Sequence, residues 1–271
     1  MVGARNGRPY VGVTRTIESP KRMPFGHFIW TDLSTYDMAA ARSDYTDLFG
    51  WSFGGSDDYD FARMNGRDVA AVFPMPHRLA QMDMPSFWMS YVHVDDLDGL
   101  VEKAKRHDNV IIEVSPQPFD SHSRIALVRD PSGAGFTLYQ GPELGADGSG
   151  PGRVQTRFHH LPDIALIKDF YADLFGWEFT PNGAGPWPTY DVLHPDGSKI
   201  AIIEEVPEAV RGKFRYWMPC FRVDSVEGAV RRILARKGGH SFDLSGRRAL
   251  VFDRQGAHFM VSDAELANAS P

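Results

Sequence analysis

The sequence predicts an α+β fold in which one domain occurs twice. Three sequence blocks recur in the same order. Within each copy, the apolar residues alternate between the two-residue period of a strand and the 3.6-residue period of a helix. With 271 residues, of which 42% are hydrophobic and 12% aromatic, the chain is long enough for two domains with a core of their own.

The clearest repeat is an aromatic-rich phrase. DYTDLFGWSF begins at Asp44, and FYADLFGWEF begins at Phe170. A second block, FWMSYVHVDDLDG from Phe87, returns as YWMPCFRVDSVEG from Tyr216. A third block, SRIALVRDPSGAGF, returns as GRRALVFDRQGAHF near the C-terminus. The nearly constant spacing of the three blocks indicates a duplicated domain rather than scattered similarities.

The blocks and the composition between them predict the domain boundaries. The two copies occupy residues 25–141 and 153–262, and the Gly- and Pro-rich residues 142–152 are expected to form a flexible linker. Residues 1–24 are polar and read as an N-terminal arm, and residues 263–271 form a C-terminal tail.

Each copy is predicted to contain two amphipathic helices. The apolar residues of the first helix in each copy fall at helical spacing: Met38, Ala41, Tyr45, Leu48 and Phe49 in the first, and Ile164, Ile167, Tyr171, Leu174 and Phe175 in the second. These helices should end at Gly50 and Gly176, because glycine readily takes the positive φ of a helix C-cap. The second helix follows the middle block, from about Leu97 and from about Val226.

Strand-like segments surround the helices. In the first copy they include FGHFIWTDL, YDFARM, DVAAVF, WMSYVHV and SRIALVR. Each copy therefore contains two units of one strand, one helix and three further strands. The whole chain is predicted to hold four such βαβββ modules.

Composition excludes several classes of partner. The formal net charge is −6 and no basic block could neutralise a phosphate backbone, so we expect no nucleic-acid partner. The sequence has no apolar run of about 18 residues and no apolar core of a signal peptide, so we expect a cytoplasmic protein without a membrane partner. The single Cys220 cannot form an intrachain disulfide, which fits a reducing compartment.

The repeated blocks resemble the vicinal oxygen chelate superfamily of glyoxalase I, bleomycin resistance proteins and extradiol dioxygenases. The resemblance rests on the segments Asp37 to Trp51 and Asp163 to Trp177 with their LFGW ends, on the turns VDDLDG and VDSVEG, and on the final hairpins DPSGAGFTL and DRQGAHFMV. It covers nearly all of residues 25–262 and is strongest to the tandem branch with four modules in one chain. The resemblance implies two curved mixed-sheet cups with the helices outside.

The resemblance also implies where a metal would bind. Metal-dependent members take His, Gln or Glu ligands from the first and last strands of each paired module. The corresponding residues here are Trp30, Ala70, Met89 and Thr137 in the first domain, and Thr156, Ala201, Met218 and Met260 in the second. None is a carboxylate or an imidazole. We therefore expect neither a metal nor another cofactor.

The residues that share a strand face with these positions should line the cups, because side chains alternate between the two faces of a strand. In the first domain the predicted lining is Phe28, Trp30, Asp32, Met89, Tyr91, His93, Arg124 and Thr137. In the second domain it is Thr156, Phe158, His160, Met218, Cys220, Arg222, Arg247 and Met260. A mostly apolar wall with a few polar groups is typical of a small-molecule pocket.

Several of these residues admit two interpretations. Asp32 in an apolar cavity would have a raised pKa and could move a proton, or it could satisfy the backbone or Arg124. His93 could be a general base or a hydrogen-bonded structural residue. Arg124 and Arg247 occur in both copies, which favours pairing with carboxylates over ligand capture. Cys220 is expected to be a buried, inert thiol.

The loop from Phe73 to Phe87 is rich in proline and methionine. Because methionine adapts to binding surfaces, this loop could cover the first cavity as a lid or face the other domain. A plain connecting loop is an equal alternative.

Three hypotheses about function follow. The preferred one is a metal-independent protein that binds a small apolar or aromatic ligand. The second is a metal-independent lyase, isomerase or cyclase that uses Asp32 or His93 as general acid or base. A metal-dependent glyoxalase or dioxygenase is the least supported, because the usual ligands are missing. The expected partner is a small molecule. Four modules can complete two cups within one chain, which permits a monomer, and a homodimer remains open as well.

Overall fold

The structure, a computed structural model, describes residues 24–145, 150–183, 186–211, 215–244 and 247–266, without the side chains of residues 211 and 241–244. Apart from Pro24, the predicted N-terminal arm therefore lies outside the described residues, as do parts of the predicted linker and tail. None of the described helices is long and apolar enough to cross a membrane.

The first domain is an eight-stranded sheet with helices on one face. Its strands are β1 (Phe28–Thr35), β2 (Ser52–Phe53), β3 (Asp60–Met64), β4 (Arg67–Pro74), β5 (Phe87–His93), β6 (Ile111–Pro118), β7 (Arg124–Arg129) and β8 (Gly135–Gln140). Its helices are α1 (Met38–Phe49), the short α2 (His77–Ala80) and α3 (Leu97–Ala104).

The second domain repeats this arrangement. Its strands are β9 (Val154–Leu161), β10 (Glu178–Pro181), β11 (Thr189–Leu193), β12 (Lys199–Glu205), β13 (Trp217–Arg222), β14 (Gly239–Leu244), β15 (Arg248–Phe252) and β16 (His258–Ser262). Its helices are α4 (Lys168–Phe175), α5 (Glu208–Arg211) and α6 (Val226–Ala235), and a 3-10 turn at Ile164–Leu166 precedes α4. The predicted first helix of this copy is thus divided into a 3-10 turn and an α-helix.

Each sheet joins two modules of the same domain through their first strands. The strand orders are β2-β3-β4-β1-β5-β8-β7-β6 and β10-β11-β12-β9-β13-β16-β15-β14. Strand β1 runs antiparallel to β5 and parallel to β4, and β9 does the same with β13 and β12. The predicted α+β fold with a duplicated pair of βαβββ modules is confirmed, and the modules pair within a domain.

The predicted helix ends are confirmed by their caps. Asp37 accepts a hydrogen bond from the Ala40 N–H and begins α1. Gly50 ends α1 at a φ of 72°, and Gly176 ends α4 at a φ of 71°. A residue with a β-carbon would be strained at either position, which explains why both copies carry glycine there.

The repeated aromatic phrase builds the interface between the domains. Helix α1 packs on α6 and α3 packs on α4, so the helices lie outside the cups and between the two sheets. Tyr45 on α1 donates a 3.0 Å hydrogen bond to Asp253 of the second domain. Tyr171 on α4 donates an equivalent 2.9 Å bond to Asp130 of the first domain. A tryptophan of the adjacent sheet donates to each of these hydroxyls. The duplication therefore supplies two related polar contacts inside an aromatic core.

Candidate functional site

The first cup is the face of the first sheet that points away from the helices. Its buried apolar lining is Ile29, Trp30, Tyr59, Ala71, Met84, Phe87, Met89, Tyr91, Tyr139 and Leu144. Of the sequence-predicted residues, Trp30, Met89 and Tyr91 lie on this face. Thr137 lies beside Tyr91 in the register of β5 and β8.

Asp32 is the acidic centre of this cup. It is 1% exposed, and both neighbouring tyrosines donate to its Oδ2: Tyr91 at 2.6 Å and Tyr59 at 3.1 Å. Trp30 in turn donates from Nε1 to the Tyr59 hydroxyl at 3.0 Å. Burial raises the pKa of Asp32 to about 7, although the two tyrosine hydrogen bonds act to lower it. Across the described part of the chain, Oδ1 has no hydrogen-bond partner. A buried polar atom without a partner marks the position where a ligand group could bind.

Aromatic rings surround the carboxyl group. Tyr59 stacks on Phe73 with ring centroids 6.0 Å apart and meets the edge of Phe119 at 5.8 Å. Phe119 also contacts the ring of Tyr91 at 6.4 Å. The surroundings are therefore suited to the faces and edges of another flat ring.

His93 is too far along β5 to act together with Asp32. Asp32 lies opposite Met89 in the register of β1 and β5, and His93 follows four residues later. At about 3.4 Å per residue, the two side chains are separated by about 14 Å along the strand. His93 instead lies beside His27, with which it shares a 2.9 Å backbone hydrogen bond. The two predicted catalytic candidates do not form one proton-transfer pair.

The segment after β8 covers the first cup. Leu144 is 4% exposed and packs with the cup lining. At Gly145 an added Cβ would lie 2.4 Å from the ring of Trp30, so only glycine fits this close to the indole. The predicted linker region therefore begins as a packed cover of the cup rather than as a free connector.

The loop from Phe73 to Phe87 contacts both the first cup and the second domain. Met75, Leu79 and Met84 pack against the first cup. The end of the loop also contacts the second domain, because the Ser86 N–H donates to the Gln255 carbonyl oxygen at 3.1 Å. The loop contains the helix α2, which the sequence analysis did not predict.

The second cup is the corresponding face of the second sheet. Its buried apolar lining is Phe158, Ile202, Met218, Cys220, Leu250 and Met260. The Thr156 side chain lies on the same face, opposite Cys220 in the register of β9 and β13. Burial raises the pKa of the Cys220 thiol to about 12.

A buried charged cluster occupies this cup. Glu204 accepts a 2.6 Å hydrogen bond from Arg248 Nη2, and its other oxygen lies 3.0 Å from His160 Nε2. Burial acts to raise the pKa of Glu204, but His160 and Arg248 outweigh it and hold this pKa below its usual value. The Arg248 guanidinium also lies over the ring of Phe158, 5.0 Å from its centroid. The second cup thus contains a buried ion pair, whereas the first cup contains a single buried acid.

Three predicted lining residues lie elsewhere. A β-bulge between Phe28 and Trp30 turns Phe28 to the opposite face, where it packs on the rings of Trp177 and Trp217 between the domains. Arg124 points to solvent and forms a bidentate pair with Asp98, with oxygen contacts of 2.6 and 3.0 Å.

Arg247 likewise pairs with Asp263 at 2.9 Å and is exposed. The expectation that Arg124 and Arg247 line the cups was wrong, whereas pairing with carboxylates is what the structure contains. Arg222 remains near Cys220 at the end of β13 and is partly exposed.

The cup residues that the sequence analysis did not predict include three that form the polar contacts of the two cups. Tyr59 precedes β3 in a loop, and no local pattern places it beside Asp32. Glu204 lies two residues beyond Ile202 on the cup face of β12, but alternation from the counted position Ala201 assigns it to the other face. Arg248 directly follows Arg247, and strand alternation alone would have assigned the two arginines to opposite faces.

The cups do not supply the metal ligands of the superfamily that the sequence resembles. The structure shifts two of the counted positions by one residue, because Ala70 and Ala201 face the helices and Ala71 and Ile202 face the cups. The eight corrected positions still contain no carboxylate or imidazole. His160 lies four residues beyond Thr156 and Glu204 two residues beyond Ile202, but Arg248 holds an oxygen of Glu204 and would repel a divalent cation. The donor set does not fit the superfamily's metal.

Sequence comparisons give the relatives of this chain. A sequence model described as Glyoxalase/Bleomycin resistance protein/Dioxygenase superfamily matches residues 25–138 and 158–259. A protein of Mycobacterium bovis named "Putative glyoxylase CFP32" is 31% identical over 259 residues, which cover 89% of this chain and 97% of that protein. The "Anthracycline biosynthesis protein DnrV" of Streptomyces peucetius is 30% identical over 265 residues, which cover 89% of this chain and 94% of that protein.

Structural comparisons agree on the fold. The Mn(II)-bound glyoxalase from Novosphingobium aromaticivorans superposes with a TM-score of 0.56 at 12% identity, over 89% of this chain and 84% of that one. The 2,3-dioxygenase LapB from Pseudomonas sp. KL28 gives a TM-score of 0.58 at 13% identity, over 90% and 94% of the two chains. At these identities the likeness extends to the fold alone.

Proposed function

We propose that the first cup of this chain, which belongs to the Glyoxalase/Bleomycin resistance protein/Dioxygenase superfamily, binds a small aromatic molecule without a metal. In this proposal Asp32 forms the polar contact with the ligand. The observation that carries this proposal is the buried Asp32 carboxyl, which has two tyrosine donors on Oδ2, an unpartnered Oδ1 within the described chain, and aromatic rings around it. A cup lined in this way would suit a flat apolar ligand with one polar group once its cover opens.

The protonation state of Asp32 determines which polar group the ligand should carry. With a pKa of about 7, Asp32 populates both the carboxylate and the carboxylic acid near neutral pH. The carboxylate accepts a hydrogen bond from a phenol, and the acid donates one to a carbonyl oxygen. Hydroxyquinones, which carry both groups on a planar ring system, are therefore the first ligands to test.

The names of two relatives support the same chemical class. Proteins of two Streptomyces strains that are 30% identical to this chain are named anthracycline biosynthesis proteins. An anthracycline contains a planar hydroxyanthraquinone. We use this ring system as the probe, with the expectation that Leu144 and Phe119 move aside when it enters, because Asp32 is only 1% exposed.

The test is a titration of the full chain with 1,4-dihydroxyanthraquinone, followed by tryptophan fluorescence and calorimetry. We expect one site per chain. Asp32→Asn and Tyr91→Phe should each weaken binding about tenfold, the usual effect of a lost hydrogen bond to a charged group. Phe158→Leu, at the equivalent position of the second cup, should leave the affinity unchanged. Equal affinity in wild type and Asp32→Asn, or no binding across a panel of planar aromatics, would refute the proposal.

A second candidate function is proton-transfer catalysis on a related hydroxyketone that has an acidic carbon, as in a metal-independent isomerase, lyase or cyclase. It is favoured by one observation, the pKa of Asp32 near 7, where a carboxyl group can both accept and donate a proton. In this mechanism Oδ1 exchanges the proton with a carbon of the ligand, while the Tyr91 and Tyr59 hydroxyls hold Oδ2 in place.

Deuterium exchange distinguishes catalysis from binding. In D₂O, a catalyst would introduce deuterium at an acidic carbon of a bound hydroxyketone, which NMR detects without knowledge of the product. Asp32→Asn should then slow exchange by about 10² to 10⁴-fold with a much smaller change in affinity. Binding without enzyme-dependent exchange would leave the binding function and remove the catalytic one.

A further inference from the structure

A group of metal-ligating side chains lies outside both cups, where the start of the first domain meets the second. His27 directly precedes β1, and His194 and Asp196 belong to the turn between β11 and β12. His27 Nε2 lies 3.3 Å from Asp196 Oδ2, and His194 Nδ1 lies 3.0 Å from Asp196 Oδ1. One ligand atom from each residue falls within 4.8 Å of the others.

These separations suit a single ion. Zn²⁺ bonds to imidazole nitrogen and carboxylate oxygen are about 2.0–2.2 Å long, which places neighbouring ligand atoms of a tetrahedral site about 3.3 Å apart. The separations of 3.0 Å from His194 Nδ1 to Asp196 Oδ1 and of 3.3 Å from His27 Nε2 to Asp196 Oδ2 are close to this value, but they end on different oxygens, so one imidazole would shift toward the other's oxygen. Little movement of the side chains would be needed to coordinate an ion.

Neighbouring groups fix the orientation of two of the three donors. His194 Nε2 lies 2.8 Å from the Phe25 carbonyl oxygen. Because a carbonyl only accepts, Nε2 carries the hydrogen and Nδ1 carries the lone pair that a metal needs. That lone pair accepts the Asp196 N–H at 3.2 Å, a weak contact that an ion would have to displace. The Ser198 N–H and hydroxyl both donate to Asp196 Oδ1, at 2.8 and 2.6 Å. Histidines and carboxylates that bind metals have supporting contacts of this kind.

The duplicated half of the molecule provides an internal comparison. Gly26 and Gly152 are equivalent, because each carbonyl oxygen accepts a hydrogen bond from the tryptophan of an LFGW segment. Arg153 therefore stands where His27 stands in the first copy. The matching turn, between β3 and β4, consists of Asn65 and Gly66. The fold does not require histidine or aspartate at these positions, so the cluster is a feature of one side only.

We propose that His27, His194 and Asp196 bind one divalent transition-metal ion and thereby tie the first domain to the β11–β12 turn of the second. Two imidazoles and a carboxylate favour Zn²⁺, Co²⁺ or Ni²⁺ over Mg²⁺ and Ca²⁺. Three protein ligands leave a coordination position for water. An ion that binds only the folded chain stabilises it in proportion to its affinity and concentration. This site is separate from the first cup and does not depend on the function proposed there.

The test uses the full chain without an affinity tag, treated with a chelator and then titrated with Co²⁺ or Zn²⁺. Calorimetry gives the stoichiometry, the visible spectrum of Co²⁺ reports imidazole ligation, and a thermal melt reports stabilisation. His27→Arg introduces the residue of the duplicated position and places a cation beside Asp196, so the apoprotein should still fold. His122→Ala, at an exposed loop histidine, is the matched control.

We expect one ion per chain in wild type and in His122→Ala, with a higher melting temperature. His27→Arg should bind at least about 100-fold more weakly and should lose the metal-dependent rise in melting temperature. Absence of stoichiometric binding to wild type would overturn the proposal, as would equal binding by wild type and His27→Arg.

Discussion

The hydroxyl of Tyr91 lies 2.6 Å from Oδ2 of Asp32, and this contact joins the two modules of the first domain at their buried acid. Asp32 belongs to β1, the first strand of one module, and Tyr91 to β5, the first strand of the other. The antiparallel pairing of these strands therefore builds the candidate site as well as the sheet. The second domain repeats the pairing, but it carries Phe158 at the position of Asp32.

The buried acid should make stability depend on pH. The pKa of Asp32 rises from its ordinary value of 3.8 to about 7 on folding, so between these values the folded chain holds a proton that the unfolded chain releases. Wild-type stability is therefore expected to fall as pH rises through this window, by up to about 4 kcal/mol, and Asp32→Asn should remove that loss. Denaturant unfolding of both proteins from about pH 4 to about pH 8 measures the difference. Parallel pH profiles for wild type and Asp32→Asn would contradict the raised pKa, and exposed Asp58→Asn serves as the control.

The two related hydrogen bonds across the domain interface should contribute unequally to the free energy of unfolding. Tyr45→Phe removes a hydroxyl donor from Asp253, and Tyr171→Phe removes one from Asp130. Each change should lower the free energy of unfolding by about 1–3 kcal/mol. The loss should be smaller for Tyr171→Phe, because Asp130 also has His159 at 3.3 Å. Denaturant unfolding tests this order, and a larger loss for Tyr171→Phe would show that His159 does not compensate.

Removing only one partner of the ion pair in the second cup should destabilise the chain strongly, whereas removing both partners should not. Arg248→Met leaves Glu204 buried without its 2.6 Å partner and should destabilise the chain by about 3–5 kcal/mol. The double change Glu204→Gln with Arg248→Met should recover most of this loss, because no uncompensated charge remains. The adjacent Arg247→Met is the control and should cost at most about 1 kcal/mol, since its ion pair is exposed. Equal effects of Arg247→Met and Arg248→Met would argue against a buried pair.

The thiol of Cys220 should be unreactive in the folded chain. It is buried, and its pKa is raised to about 12, so almost no thiolate exists at neutral pH. A thiol-disulfide reagent should label it only after unfolding in denaturant, at a rate that follows the opening of the second domain. Rapid stoichiometric labelling under native conditions would place Cys220 at an accessible surface instead.

The cover of the first cup should control the entry of ligand. Leu144→Ala shortens a buried side chain over this cup and should speed association of 1,4-dihydroxyanthraquinone in stopped-flow fluorescence. Leu266→Ala, in the segment that follows the last strand of the second domain, is the matched control and should leave the rate unchanged. An unchanged rate in Leu144→Ala would mean that the ligand enters by another route.

Local sequence patterns were enough to predict the duplication, the number of modules and the ends of the main helices. These features follow from local chemistry. Apolar periodicity distinguishes strand from helix over about ten residues, and Gly50 and Gly176 take a backbone conformation that other residues avoid. Strand alternation also predicted that Trp30, Met89 and Tyr91 share one face. The prediction succeeds on β5 because no bulge interrupts the alternation between Met89 and Tyr91.

The contacts between distant segments follow from the three-dimensional packing alone. The bulge that turns Phe28 away from the cup arises where β1 pairs with β5, and Tyr59 reaches Asp32 only because β3 lies in the same sheet. The raised pKa of Asp32 is likewise a consequence of burial by many segments. The cluster of His27, His194 and Asp196 joins residues from the two domains. Contacts between residues far apart in the chain depend on strand register and domain packing, and local sequence patterns do not encode either of them.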